Sequence, residues 1–145
     1  ISFSTRPDGE FGEWTLINGI SKFAPLPSSM PHGDGVPNLL KYAFNMDATG
    51  PDVRSLRSGE GAGLPVFSMD ASSGQPVFKA EYVRRPTSGL IYTPKFSTNL
   101  SSYSAMTGST TVTALDADWE LVKVAMPINP AVTPKLFGRV EVTLP

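Results

Sequence analysis

The sequence predicts a mainly β protein, an antiparallel β-sandwich of about seven or eight strands with one short helix in its N-terminal part. Within residues 64–145, apolar and polar side chains alternate over short runs that are separated by Gly, Pro and Asn turns. Residues 1–52 contain the one stretch with helical periodicity. The chain has 145 residues, 40% of them hydrophobic, so it is long enough to bury a core as a single domain.

The helix is predicted over residues 37–46. Pro37 suits the first helical position because its missing N–H needs no partner there. Leu40, Ala43 and Phe44 follow at the spacing of one helical face, and a Gly-Pro pair lies just beyond the last periodic residue. A helix of about ten residues is too short to be stable alone in water, so we expect it to dock on the β-structure.

The strands are predicted from alternating side chains. In residues 77–85, Phe78, Ala80 and Tyr82 share one face, while the polar residues between them share the other. Pro94 lies inside a second run and favours an edge strand or a bulge there. The other predicted strands cover residues 66–69, 90–97, 109–115, 120–126 and 136–144.

The organisation predicted is a single domain over residues 1–145, in which residues 1–52 pack on a sandwich formed by residues 64–145. Residues 53–63 are rich in Gly and Ser and are predicted to be a flexible connection. The first residue is not Met, so we expect a module of a longer protein. A cysteine-free, lightly charged chain rich in Ser, Thr, Gly and Pro is typical of bacterial modules that are secreted or held at the cell surface.

Composition excludes several function classes. Twelve basic and 13 acidic residues give a net charge of -1, so no field attracts nucleic acid, and no apolar run approaches the roughly 18 residues of a membrane span. With no Cys and one His, a zinc site of His and Cys and a cysteine nucleophile are excluded. That histidine, His32, lies in a loop, and no G-x-S-x-G motif occurs. We expect a monomer with no enzymatic activity and no cofactor.

The segment from Asp34 to Asn38 partly matches a calcium loop. In a twelve-residue loop of the EF-hand type, Asp34 takes position 5, Gly35 position 6, the Val36 carbonyl position 7 and Asn38 position 9. A simpler alternative is a turn into a helix, with the Asp34 charge near the helix N-terminus. We predict no metal site, because the remaining ligand positions are not acidic.

Met30, His32 and Lys41 occupy the other ligand positions of that loop, numbers 1, 3 and 12. We therefore expect a degenerate site in which the Lys41 ammonium reaches back toward Asp34 and the loop carbonyls in place of an ion. An exposed pair of this kind would contribute only about 0–1 kcal/mol.

Residues 33–44 resemble the D-x-D-G-D-G-x-x-N-x-x-E-Y segment of thrombospondin type-3-like and dockerin-like calcium loops. Together with Leu-Pro at 64–65, paired arginines ending residues 82–85, the pattern of residues 92–100 and the aromatic Tyr103, the chain resembles a C-terminal domain of large secreted bacterial proteins.

The resemblance covers roughly residues 11–145 and implies a non-catalytic accessory module, often found beside polysaccharide-degrading or lectin-like modules. His32 and Lys41 stand where that family has acidic residues, so calcium binding is not transferred to this chain.

Binding is better supported by the sequence than catalysis. Sugar-binding faces of sandwiches use exposed aromatic rings with polar side chains around them. Trp14 is expected in the core below the helix. The candidate carbohydrate-binding residues are the aromatic Trp119, Tyr103 and Tyr92 and the basic Arg84, Arg85 and Lys95. The basic residues have two interpretations: they meet sulfate or uronate groups of an acidic glycan, or they protect an edge strand from pairing.

Two functions therefore stay open. The first is a carbohydrate-binding module whose partners are a polysaccharide and the catalytic domain of its parent enzyme. The second is a structural, assembly or sorting domain of a secreted or surface protein that binds no small ligand. An exposed row of aromatic side chains would favour the first function, and their burial would favour the second.

Overall fold

A computed structural model describes residues 9–19, 26–57, 60–72, 74–86, 88–129, 131–132 and 135–144. This part of the chain contains two short helices and seven strands, which confirms the predicted mainly β fold. The helices are α1 (Gly9–Ile17) and α2 (Asn38–Ala43). The strands are β1 (Val66–Asp70), β2 (Val77–Arg84), β3 (Ile91–Ser97), β4 (Ser104–Ala105), β5 (Ser109–Ala114), β6 (Glu120–Pro127) and β7 (Phe137–Thr143).

The strands form two antiparallel sheets. The first sheet has the order β1-β2-β6-β5, and the second has the order β4-β3-β7. The longest ladder joins β2 to β6, from Val77 opposite Pro127 to Arg84 opposite Glu120. Strand β1 of the first sheet contacts β7 of the second, and a Cβ atom added at Gly138 would clash with a carbon of the Phe67 ring. The two sheets therefore face each other in a sandwich.

The core lies between the inner faces of the two sheets. Phe78, Ala80 and Tyr82 of β2 are buried on one face, as their alternation predicts. Apolar residues of the neighbouring and facing strands pack around them, namely Val122, Val124 and Met126 of β6, Tyr92 of β3, and Val140 and Val142 of β7. Alternation in the sequence thus identifies the inner face of both sheets.

Helix α2 is shorter than predicted. Pro37 precedes the helix with an extended backbone rather than forming its first residue, and the helix ends at Ala43. The chain leaves the helical path at Asn45, whose φ of 59° is in the left-handed region that Asn tolerates. Ala43 and Phe44 are buried and Leu40 packs against the core, so the predicted apolar face is confirmed.

Helix α1 is an element that the sequence pattern did not predict. Two glycines and the β-branched Thr15 within nine residues lower its intrinsic helix propensity. The helix is instead held by packing, because the rings of Phe11 and Trp14 each lie 5.5 Å from the Tyr42 ring of α2. Trp14 therefore packs against the predicted helix, but it is half-buried and does not belong to the buried core that was expected. Neither helix of the described residues is long and apolar enough to cross a membrane.

Of the two alternatives predicted at Pro94, an edge strand or a bulge, the edge strand does not describe β3 as a whole, since β3 lies between β4 and β7. The Pro94 carbonyl accepts a hydrogen bond from the Met106 N–H, just past β4. The nitrogen and oxygen of one strand residue point to the same side, so the missing N–H faces the β4 side. Strand β4 pairs only with Lys95 and Phe96, and Pro94 therefore interrupts no ladder on that side.

The described residues of the segment 53–63 are anchored, which differs from the flexible connection predicted there. Leu56 is buried, and its N–H donates to the Leu64 carbonyl. The Gly63 N–H donates to the Phe44 carbonyl, and a Cβ atom at Gly63 would lie 2.6 Å from the Leu56 nitrogen. Only glycine fits this close approach, so this end of the segment packs on the core.

Candidate functional site

The six predicted binding residues separate into two places in the fold. Trp119, Tyr92, Arg84 and Arg85 lie near the end of β2 that meets α2, where Arg85 joins Tyr42, Trp119 and Tyr92 in what we call the Arg85 cluster. Lys95 and Tyr103 lie with Arg139 and Glu141 on the second sheet, in what we call the Tyr103 cluster. The three basic residues therefore do not form one patch.

The Arg85 guanidinium lies between two aromatic rings. Its central carbon is 4.0 Å from the centre of the Tyr42 ring and 4.3 Å from that of the Trp119 ring. Its Nε donates a 2.7 Å hydrogen bond to the Tyr42 carbonyl at the end of α2. Trp119 is only 8% exposed, so it does not offer the open ring that a sugar platform needs. Trp119, one of the candidate binding rings, is therefore buried in the fold rather than open to a sugar.

Tyr92 is also part of the packing. Its hydroxyl donates to the Ala43 carbonyl at 2.8 Å and accepts a hydrogen bond from the Arg85 N–H at 3.2 Å. Its ring stacks on Tyr82 with the centres 5.9 Å apart. Burial raises the pKa of the Tyr92 phenol to about 12, against the opposing effect of the Arg85 N–H and its positive charge. Tyr92 therefore joins the second sheet to helix α2.

Arg84 pairs with a carboxylate of the neighbouring strand. Arg84 and Glu120 are direct partners in the β2–β6 ladder, and the Arg84 Nε lies 2.6 Å from a Glu120 oxygen. Strand β1 pairs with β2 only as far as Glu81, so among the described strands Arg84 has a ladder partner on the β6 side alone. The edge-protection interpretation therefore stays a prediction.

The Tyr103 cluster combines an aromatic ring with three charged side chains. The Arg139 guanidinium lies over the Tyr103 ring, 3.9 Å from its centre. One oxygen of Glu141 is 2.8 Å from the Lys95 ammonium, and the other accepts a hydrogen bond from Arg139. Lys95 and Arg139 are direct partners in the β3–β7 ladder, so their side chains share a face.

This face is the outer face of the second sheet, away from the sandwich core. Its strand positions are Ile91, Thr93, Lys95, Ser97, Ala105, Phe137, Arg139, Glu141 and Thr143. Two basic residues and one acidic residue among them leave a net charge of +1. The hydrogen bond from Lys95, and a further one from Arg139, lower the pKa of Glu141 against the opposing effect of burial, so this carboxylate stays ionised at neutral pH.

Phe137, Arg139 and Glu141 were not among the predicted binding residues. Their signal was present in the sequence, because placing Val140 and Val142 of β7 inside leaves the odd-numbered residues outside. Arg139 has a half-exposed side chain (51%), and Phe137 is exposed two residues along the strand. The outer face thus offers solvent both an apolar ring and a cation.

Lys41 forms the second feature that the sequence singled out. Its side chain is fully buried, and its ammonium lies 2.6 Å from an Asp34 oxygen. It also donates a 3.0 Å hydrogen bond to the Gly50 carbonyl. The predicted reach of Lys41 toward Asp34 and a loop carbonyl is therefore confirmed. The pair is buried rather than exposed, so its contribution differs from that of a surface ion pair.

Asp34 also accepts hydrogen bonds from two backbone N–H groups, one inside the loop and one beyond it. Its two oxygens accept the N–H groups of Val36 at 3.1 Å and Asp52 at 2.9 Å. Burial alone would raise the pKa of Asp34, but hydrogen bonds from Lys41, Asp52 and Val36 and the Lys41 charge outweigh burial and lower this pKa far below its usual range. The carboxylate is therefore ionised whenever the loop is folded near neutral pH.

The other residues of the predicted degenerate loop make structural contacts. Asn38 is buried and its side-chain amide donates to the Leu26 carbonyl. The His32 ring nitrogen Nε2 lies 3.0 Å from the Ala48 carbonyl oxygen. Within the described ranges, no group of three His, Cys, Asp or Glu side chains could hold a metal ion.

Comparison with known proteins identifies no relative. No family model matches the chain, and no curated protein or solved structure matches it significantly. The resemblance to the secreted bacterial C-terminal domain therefore stays a prediction. Fold and site together define a β-sandwich with a solvent-facing cluster of one aromatic and three charged side chains.

Proposed function

We propose that this chain is a non-catalytic module that binds an acidic polysaccharide through the Tyr103 cluster. The proposal rests on one observation: the outer face of the second sheet places a net positive charge beside aromatic rings that are not buried in the core. A pyranose can stack its C–H face on an aromatic ring, and its carboxylate or sulfate can pair with a guanidinium.

Each group of the Tyr103 cluster has a role in this proposal. The Tyr103 ring holds the Arg139 guanidinium over its face, and Arg is the side chain best suited to bidentate pairing with a carboxylate or sulfate. Lys95 supplies a second cation, while Glu141 orients both cations and competes with the ligand. Phe137 adds an apolar surface for a neighbouring sugar ring.

The expected affinity for a single short glycan is low. Ring stacking contributes about 0.5–1.5 kcal/mol and a charge-assisted hydrogen bond about 1.5–3 kcal/mol. Together they contribute about 2–4.5 kcal/mol, and only the upper end reaches the value of about -4 kcal/mol that corresponds to a millimolar dissociation constant. Such a module acts by holding a parent polysaccharide-degrading enzyme near a polymer that repeats the binding motif many times. This role places it outside the cell or on its surface.

A structural or assembly domain is the second candidate function. The observation that favours it is the burial of Trp119 and Tyr92, because two of the three predicted binding rings stabilise the junction between α2 and the sandwich. In this alternative, the Tyr103 cluster is a solvated ion network with no ligand.

Native gel electrophoresis in the presence of polysaccharides tests the proposal. Gels containing a polyuronate, a sulfated galactan or a neutral β-glucan are compared with a gel that contains no polysaccharide. We expect retardation in at least one acidic gel, none in the neutral gel, and loss of the retardation for Tyr103→Ala. Unchanged migration in every gel would instead support the structural alternative.

A further inference from the structure

Strand β5 is the edge of the first sheet and is exposed along its whole length. Its core-side partners Val122 and Val124 are buried, yet Val112 opposite Val122 is 46% exposed. The second sheet has only three strands, so β5 extends beyond the sheet that faces it. Both faces and one edge of this strand are open to solvent.

The free edge of β5 can be identified from the hydrogen bonds. The Leu115 N–H donates to the Trp119 carbonyl, which makes this pair a hydrogen-bonded one in the β5–β6 register. Because such pairs alternate, the N–H and C=O groups of Thr110, Val112 and Ala114 point away from β6. No other described residue donates to or accepts from these six groups.

The other three sheet edges carry features that prevent pairing. Strand β1 follows Pro65 and ends at Asp70, and β4 has only two residues. Strand β7 presents Arg139 and Glu141. Strand β5 has six residues and neither a charge nor a proline. Natural edge strands normally use such devices against association, and their absence from β5 alone marks it as a pairing edge.

We propose that β5 pairs with β5 of a second copy of this chain in antiparallel orientation, with the twofold axis at Val112. In this register, Thr110 of each copy lies opposite Ala114 of the other, and Val112 lies opposite Val112 of the second copy. Such a contact is the self-complementary interface that twofold symmetry requires, and it satisfies all six edge groups of each chain. The two four-stranded sheets become one continuous sheet of eight strands.

A second copy fits as the occupant because the edge is self-complementary about Val112 and carries no charge that would repel its own copy. The β5 strand is uncharged, so the twofold contact brings no like charges together. Its nearest acidic residue, Asp116, lies beyond the strand end and would face Gly108 of the other copy. The interface is limited to one strand and is smaller than a standard stable one, so we expect a weak dimer that forms only at high concentration. This differs from the monomer expected from the sequence.

Sedimentation velocity of the full chain from about 10 μM to about 1 mM tests the proposal. Val112→Lys places two lysine side chains at the twofold axis, on Cα atoms about 5.5 Å apart, where their like charges oppose pairing. Thr113→Lys adds the same charge to the same strand, but it faces Thr111 of the other copy. We expect a wild-type dimer at the highest concentrations, at least tenfold weaker association for Val112→Lys, and less than threefold weakening for Thr113→Lys.

Thermal unfolding of the monomers shows whether both variants are folded. A wild type that stays monomeric at every concentration would overturn the proposal. The β5 edge would then be open to a strand of a different protein. Dimerisation that Val112→Lys leaves intact, or that both variants lose equally, would also overturn it. Dimer formation is independent of polysaccharide retardation, so the two proposals fail separately.

Discussion

The Arg85 cluster and the Tyr103 cluster use the same contact in opposite surroundings. In each, a guanidinium lies about 4 Å from an aromatic ring centre, at 4.0 and 4.3 Å for Arg85 and 3.9 Å for Arg139. Arg85 lies between two rings at the junction of α2 with the sandwich. Arg139 lies over one ring on the outer face of the second sheet, and its side chain is 51% exposed.

The difference shows that residue type does not separate a structural cluster from a binding one. A cation–π contact contributes about 0.5–1 kcal/mol when exposed and about 2 kcal/mol when removed from water. Arg85 therefore stabilises the fold, and it also satisfies the Tyr42 carbonyl at the end of α2. Arg139 contributes little to stability and stays accessible to a ligand. The decisive variable is whether a second layer covers the ring.

Removing one ring from each cluster gives the largest expected contrast. Trp119→Ala deletes a buried ring and should lower the free energy of unfolding by about 3–5 kcal/mol. Tyr103→Ala, as the matched variant, should change it by less than about 0.5 kcal/mol. Urea unfolding followed by far-ultraviolet circular dichroism measures both values. Equal losses would mean that the Tyr103 ring is as structural as Trp119.

The carboxylates of Asp34 and Glu141 extend the same contrast to acid groups. Asp34→Asn leaves the Lys41 ammonium buried without its counter-charge, and should destabilise the protein by about 3 kcal/mol or more at pH 7. Glu141→Gln removes a carboxylate from an exposed network and should have an effect below about 1 kcal/mol. Urea unfolding of both variants at pH 7 measures the two values.

The pH dependence of stability gives a second test of Asp34. The folded pKa of Asp34 is below its unfolded value of 3.8, so its contribution is fully present above that pH. The contribution is lost as the pH falls through the lower folded pKa. Asp34→Asn should therefore lose less stability than the wild type between pH 5 and pH 2. Parallel pH profiles of wild type and variant would contradict the role of Asp34.

Tyr92→Phe should have an intermediate effect. The variant keeps the stacked ring but leaves the Ala43 carbonyl and the Arg85 N–H without the hydroxyl, which should lower stability by about 1–2 kcal/mol. The raised pKa of about 12 stabilises the wild type fully below the unfolded pKa of 10.0, and this contribution is lost as the pH rises through 12. Tyr103→Phe is the matched control, and an equal loss in both variants would refute the contrast.

Calcium should produce the smallest effect of all. The Lys41 ammonium already contacts the Asp34 carboxylate and the Gly50 carbonyl. These oxygen atoms are therefore not free to bind a calcium ion. We expect no change in the thermal midpoint between millimolar calcium and excess chelator. Saturation at a hundredfold excess over the dissociation constant would contribute about 2.7 kcal/mol and raise the midpoint by several degrees. A rise that the chelator reverses would contradict the role of Lys41.

Most of the fold follows from local patterns in the sequence. The alternation of β2 and β7 predicts their inner faces, and the spacing of Leu40, Ala43 and Phe44 predicts the apolar face of α2. Helix α1 did not follow, because its packing on Tyr42 overrides its weak propensity. Helix α2 ends early because Asn45 has a left-handed backbone. The sequence prediction placed the end of the helix later, since it relied on the Gly-Pro pair at residues 50–51.

The site was harder to predict because it depends on contacts between distant residues. Trp119 is covered by Arg85, and Tyr92 bonds to Ala43, which is 49 residues away in the chain. Nothing local to Trp119 or Tyr103 indicates which of them a second layer covers. Lys41 was the exception, since its position in the loop pattern predicted its partner Asp34 directly.

Removing one cation from each of two sheet faces shows whether the Tyr103 cluster or the overall charge binds the polysaccharide. Arg139→Gln removes the guanidinium of the Tyr103 cluster, and Lys123→Gln removes an exposed cation of equal charge from β6 in the first sheet. Binding to the retarding acidic polysaccharide is measured by affinity electrophoresis over a range of polymer concentrations. We predict at least tenfold weaker binding for Arg139→Gln and less than a twofold change for Lys123→Gln. Equal weakening by both variants would show that overall charge, and not the Tyr103 cluster, determines binding.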